Sequence, residues 1–183
     1  MNHFAFTRSG RHIDLANPQA AMFSAQDIAE HLAKHPMYHG ATQGFYSAAQ
    51  HCTILAGELA RTEGSLAALY ALVSYAPKVF SDEYPAKLEQ AIHEAFDLDW
   101  PRPKAVSDAL ECAKACVELT ELKQLCKGCD AWIAYFARKG AVPLRTVIKP
   151  LAWDRACDRY IAVLRTHVCA AALPQLESLR GIL

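Results

Sequence analysis

The run Ser65-Leu66-Ala67-Ala68-Leu69-Tyr70-Ala71-Leu72-Val73-Ser74-Tyr75 decides how this chain is read. It is apolar all the way round a helical wheel, which marks a central helix enclosed by others. Gly64 precedes it, and Pro77 ends or kinks it. Although it holds the most apolar stretch of the chain, it falls well short of the roughly 18 apolar residues that a membrane span needs.

Working outward, the neighbouring segments read as further helices. Toward the N-terminus, Phe45, Ala48, Cys52, Leu55 and Leu59 recur at helical spacing, so a helix is expected over about 42–61. Ser24-Ala25-Gln26-Asp27 is a capping-box-like start for an earlier helix that runs to about His35 and stops at Pro36. The first 23 residues read as irregular, with Gly10 and Pro18 as breakers. Toward the C-terminus, a helix should begin near Pro85 and carry Leu88, Ile92 and Phe96 on one face. Pro101 and Pro103 precede a helix over about 104–122, another is expected over 125–138, and Gly140 closes it. An extended piece at 144–148 leads to a helix over 153–168, and 169–183 form a tail in which Pro174 starts a turn. No alternating pattern asks for a sheet. The class is all-α, one domain over 1–183, with helices packed around a single core.

Composition narrows the function. With 183 residues, 52% of them hydrophobic, the chain can bury a sizeable core. Its formal charge is zero, so the basic excess of a nucleic-acid binder is missing. Met1-Asn2-His3-Phe4 lacks the basic end and apolar stretch of a signal peptide. Seven cysteines, an odd number, lie in Ala- and Leu-rich segments, which points to free thiols in a reducing, cytoplasmic setting.

Several segments resemble one branch of the HD superfamily, the bacterial metal-dependent phosphohydrolases related to 5'-deoxyribonucleotidases. They are Ser9-Gly10-Arg11-His12-Ile13-Asp14-Leu15-Ala16-Asn17-Pro18, Asp27-Ile28-Ala29, Phe45-Tyr46-Ser47-Ala48-Ala49-Gln50-His51-Cys52, Ala67-Ala68-Leu69 followed later by Ser81-Asp82, and Ile148-Lys149-Pro150-Leu151-Ala152-Trp153 with Ala156 and Tyr160. The segment ending at His51 is the most specific, and the order of the five gives the others their weight. The resemblance implies an HD-type bundle of about six to eight helices and a homodimer. It also implies a divalent metal such as Mn, Co or Fe, held by a first His, a His-Asp pair and a distant Asp. Such a metal polarises a phosphate ester and acidifies a bound water.

Laid on this sequence, the pattern is incomplete. His51 matches the first His and Asp108 the distant Asp. The His-Asp pair falls at Val73-Ser74, where valine has no donor atom and a neutral hydroxyl is a weak ligand. The acid expected just after falls at Pro77, the substrate-side Arg at Met37, and a following His at Ala41, while Asp82 remains. Two ligands are fewer than the three that a catalytic site of this kind normally needs. The vestigial site is therefore His51, Val73, Ser74, Pro77, Asp82 and Asp108, with Met37 and Asp82 on the substrate side. No bound cofactor is expected.

Without the resemblance, the same residues have plainer readings. His51 is a core or boundary histidine, Asp108 a helix-surface carboxylate, and Asp82 an N-cap or turn acceptor. Arg155, Arg159 and Arg165, beside Asp154 and Asp158, read as a solvated face with local ion pairs. Cys112, Cys116, Cys126 and Cys129 offer a rival zinc site, though only Cys126-Lys127-Gly128-Cys129 has knuckle spacing. Three functions follow. The preferred one is an HD-like protein that has lost catalysis and binds a nucleotide, a phosphate or a protein partner. The second is a phosphohydrolase with a rewired site using His51, Asp108 and a further ligand such as His39 or Asp82. The third is a zinc-stabilised interaction module. None calls for a membrane or a nucleic acid.

Overall fold

A computed structural model describes residues 4–81 and 86–170. Asp82 and the tail from 171 onward lie outside the described residues. The architecture is all-α, a bundle of α1 (Ala25–Lys34), α2 (Ala48–Thr62), α3 (Ser65–Val73), α4 (Ala76–Phe80), α5 (Ala86–Ala95), α6 (Lys104–Leu125), α7 (Asp130–Arg138) and α8 (Trp153–Ala170).

The enclosed helix is α3. Ala67 to Val73 are buried without a break, and α3 packs against α2, α5, α6 and α8. Only its first turn reaches water, through Leu66. The turn from α2 into α3 passes through Gly64 at φ 89°, ψ −179°, a conformation essentially reserved for glycine. Pro77 does not simply end α3. It sits in the first turn of α4, where a missing N–H breaks no helical bond. The Tyr160 hydroxyl donates to the Leu72 carbonyl at 3.0 Å, tying α8 to α3 inside the core.

One expectation needs correction. The first segment is not wholly irregular, because β1 (Phe4–Phe6) and β2 (His12–Asp14) form an antiparallel hairpin with Ala5 opposite Ile13. Three-residue strands are too short to show an alternating pattern. The hairpin is pinned to α1 by Asp27, which accepts from the Ser9 hydroxyl at 2.7 Å, from the Ser9 N–H at 3.2 Å and from the Ser24 hydroxyl at 2.7 Å. Burial works to raise the Asp27 pKa, but these bonds hold it below the usual value. The extended piece expected at 144–148 lies in neither a helix nor a strand. It is part of a strap laced to the helices by side chains. Thr120 accepts from Leu144 N–H, Gln124 bonds Thr146 O and Ile148 N–H, and Gln50 bonds Lys149 O and Leu151 N–H.

On α5, His93 is buried with Nδ1 lacking a hydrogen-bond partner among the described residues. Its ring sits edge-on to Tyr70 at 5.4 Å and to Trp100 at 5.2 Å. Burial first, and the Arg102 guanidinium second, push its pKa from 6.5 down to about 4. Below pH 6.5 the unfolded chain therefore binds a proton that the folded chain refuses, and stability falls with pH until the folded value is reached. The slope from one such group is at most about 1.4 kcal/mol per pH unit. His93→Phe should keep near-wild-type stability at neutral pH and lose less of it between pH 6.5 and 4. Denaturant titrations across that range, comparing the two proteins, check this; parallel pH curves would refute it.

Candidate functional site

The position marked by the most specific motif is occupied by a sealed polar cluster. Ser47 caps α2, its hydroxyl accepting from Gln50 N–H at 3.3 Å. One residue later, α2 turns His51 inward, where its ring is 1% exposed. The partner that meets it is Glu121 of α6, fully buried at 0%. His51 Nδ1 lies 2.8 Å from Glu121 Oε1 and 3.1 Å from Oε2. The Tyr46 hydroxyl donates to Oε1 at 2.6 Å, and the Tyr38 hydroxyl donates to Oε2. With both phenols donating, the carboxylate acts as the common acceptor, and the network places the ring hydrogen on Nδ1.

The loop that delivers the phenols is held in an unusual shape. Tyr38 and His39 have φ of 53° and 51°, left-handed values that cost a side-chain-bearing residue about 1–2 kcal/mol each. The loop is clamped on itself by Met37 N–H to Tyr46 O at 2.8 Å and Ala48 N–H to His35 O at 2.9 Å. It is clamped to the end of α6 by Gln43 N–H to Leu125 O at 2.8 Å and by the Thr42–Cys126 bridge. Burial and the Glu121 charge drive the pKa of both Tyr38 and Tyr46 far up, so both remain protonated donors.

Around the cluster lies a second ring of groups. Glu118 is pushed up by burial, against the pull of Lys114, whose Nζ is 4.0 Å away. Lys78, pushed down by burial, stands over the Tyr75 ring at 4.6 Å. Tyr75 in turn faces the His51 ring edge-on at 6.0 Å. Cys52 is buried, with its thiol pushed up to about 12 by burial, so it is no nucleophile at neutral pH. Ser74 spends its hydroxyl on the Ala71 carbonyl at 2.7 Å.

The expected residues separate. His51 and Val73 are both core, and Ser74 adjoins Cys52, so α2 and α3 do meet here. Pro77 and Met37 are buried packing residues. Asp108 does not join His51: it is on the surface, 65% exposed, paired with Lys104 at 2.7 Å. It lies 13 residues before Glu121 on the same helix, or about 20 Å along the axis. The neighbouring stripe Ala105, Ala109, Cys112 and Cys116 is exposed or only half-buried. The inward stripe is Leu110, Ala113, Val117, Glu121 and Leu125. A carboxylate at the fourth position of that stripe was the available sign of the real partner.

The divalent metal implied by the resemblance does not fit these donors. A carboxylate behind Nδ1 also orients metal-bound imidazoles, but here that carboxylate is capped by two phenols. Among the described residues no group of three or more His, Cys, Asp or Glu side chains is placed to hold a metal ion. That also sets aside the four-cysteine site. Cys126 and Cys129 are near neighbours and half-buried, while Cys112 is exposed on α6.

A separate cleft of about 660 Å³ opens between α2, α8 and the strap. Its cations are Arg61, Arg145 and Arg159, and its apolar wall includes Ile54, Val142 and Leu144. Arg61 is paired with Glu58 at 2.6 Å. Arg145 and Arg159 have no ion-pair partner among the described residues, so the expected local pairing of Arg159 with its aspartates is absent there. Among the described residues no helix is long and apolar enough to cross a membrane. Compared with known proteins, the chain matches no family model and no curated protein.

The buried cluster should act as a stability element. Removing the shared acceptor leaves three buried donors unsatisfied at about 1–3 kcal/mol each, so Glu121→Ala should lose at least about 3 kcal/mol of stability. Tyr46→Phe should lose about 1.5–3 kcal/mol, as expected for a hydrogen bond to a charged group. Urea unfolding of the two variants measures both. A Glu121→Ala loss below that of Tyr46→Phe would contradict the network as described.

Proposed function

We propose that this chain is an HD-like helical protein without hydrolytic chemistry, which binds a small phosphorylated molecule of nucleotide type. The observation that supports the loss of hydrolysis is the engagement of His51. The imidazole that would be a metal ligand is buried against Glu121 and the two tyrosines, and its expected neighbours are Val73, a self-satisfied Ser74 and Pro77. A water there would have no second anchor for its metal, and the adjacent Glu121 carboxylate is already engaged by His51 and two phenols.

Binding is assigned to the arginine cleft. Its volume lies within the range of small-molecule sites, about 300–1,000 Å³. Arg145 and Arg159 are exposed and have no ion-pair partner among the described residues, and guanidinium groups suit phosphate oxygens through paired N–H bonds. The apolar wall formed by Ile54, Val142 and Leu144 gives a base or sugar somewhere to rest.

Two measurements test this reading. Purified protein with nucleoside monophosphates and added Mn or Co should release no phosphate above a protein-free control. Metal-dependent turnover that His51→Ala abolishes would defeat the non-hydrolytic assignment. In calorimetric titrations, a nucleoside monophosphate should bind, and Arg145→Ala with Arg159→Ala should weaken it at least tenfold, since each charge-assisted bond is worth about 1.5–3 kcal/mol. Both side chains are exposed, so the fold should survive. Equal affinity in wild type and double variant would remove the cleft from the proposal.

A further inference from the structure

The turn between α6 and α7 reads Cys126-Lys127-Gly128-Cys129. Cys126 is the residue on which α6 ends, and Cys129 the one from which α7 starts. Gly128 takes φ 69°, a left-handed value that suits glycine and lets the chain double back within two residues. The reversal brings both cysteines to one atom. Cys126 N–H donates to the Leu122 carbonyl at 3.3 Å, and the Cys129 thiol donates to the same oxygen at 3.4 Å. The Cys129 sulfur is therefore held close to the backbone of Cys126. Both backbones are pinned as well. Cys126 bridges to Thr42, and Cys129 O accepts from Ile133 N–H at 3.0 Å as α7 begins. Residues three apart across a tight reversal fall in the range of Cα separations that a disulfide needs, about 4.4–6.8 Å.

The two thiols are free and half-buried, while Lys127 and Gly128 between them are exposed, so a small reagent reaches the pair from water. Each thiol is part of the other's surroundings: burial first, and Cys129 second, push the Cys126 thiol up. Among the described residues no third His, Cys, Asp or Glu joins them to hold a metal ion, which leaves the pair to sulfur chemistry. We propose that Cys126 and Cys129 form a reversible thiol–disulfide site, closed by a small disulfide such as oxidised glutathione and opened by a dithiol. One protein thiolate attacks a sulfur of the small disulfide, forming a mixed disulfide and expelling one small thiolate. The second protein thiolate attacks the protein sulfur of that mixed bond, forming Cys126–Cys129 and expelling the other small thiolate. The two protein sulfurs give up two electrons, the small disulfide is reduced to two thiols, and the protons shed by the cysteines end on those thiols. To close the bond, the Cys129 thiol leaves the Leu122 carbonyl and turns to Cys126. Lys127 adds a cation in the turn for the carboxylates of such a reagent.

The inference does not depend on the functional reading above. The full chain is equilibrated in glutathione buffers of rising disulfide content, quenched with acid, alkylated and mapped by peptide mass. Cys126 and Cys129 should be lost to alkylation together, as an internal disulfide that carries no glutathione, and dithiothreitol should return both. Their half-conversion should need at least about tenfold less oxidised glutathione than the exposed Cys169 needs to take up glutathione, because the second thiol acts at a high effective concentration. In Cys129→Ser, Cys126 should react only in the range of Cys169. Serine nearly keeps the size of cysteine, an unchanged thermal transition would show that the variant is folded, and the wild-type map stands without it. A pair that stays alkylatable after Cys169 has reacted, or that takes up glutathione singly without closing, overturns the inference. So does a bond from either thiol to another cysteine, or a Cys126 that reacts as readily in Cys129→Ser as in wild type.

Discussion

A carboxylate with no access to water governs this structure. Unpaired, Glu121 could not be buried in a bundle of leucines and alanines, because an isolated charge in such surroundings costs far more than a small domain's whole stability. Its solution is to recruit donors from three directions: His51 from α2, and Tyr38 and Tyr46 from the two ends of one loop. The strained backbone at Tyr38 and His39 makes sense in this light. A relaxed loop would carry the Tyr38 hydroxyl elsewhere, and the bonds made at both ends of the loop keep it from relaxing. The cluster also orders its surroundings, since Glu118, Lys114 and Lys78 balance one another around it.

Such a cluster joins helices that are distant in sequence. His51 and Glu121 are 70 residues apart, so their bond forms only when α2 and α6 have docked. A hydrophobic contact tolerates small rotations of a helix, whereas a shared acceptor with three donors specifies one.

Much of the fold was legible in the sequence, because helices announce themselves locally. The enclosed α3, the Ser24 cap and the breaks at Pro36 and Pro101 all follow from residue spacing within one element. What could not be read there depends on partners far away. The hairpin at the N-terminus is stabilised by Asp27, and the strap by Gln50, Thr120 and Gln124, none of which leaves a mark in the segment it holds. At the site, His51 is buried against Glu121, while Asp108 lies on the surface of α6. Glu121 is distinguished only by lying on α6's inward stripe, and α6 carries apolar residues on more than one face, which hid that stripe.

The strap from 144 to 151 has a consequence for how this molecule can change over generations. A strand in a sheet is held by its own backbone ladder, and altering its course disturbs the neighbouring strands. Here the backbone is fastened at a few points by amides and a hydroxyl belonging to other helices. Ile148 is anchored in the core, but Arg145, Val147 and Lys149 are exposed and therefore at liberty to vary. One wall of the arginine cleft is thus a replaceable part, open to inheritance of new chemistry while the bundle behind it stays as it is.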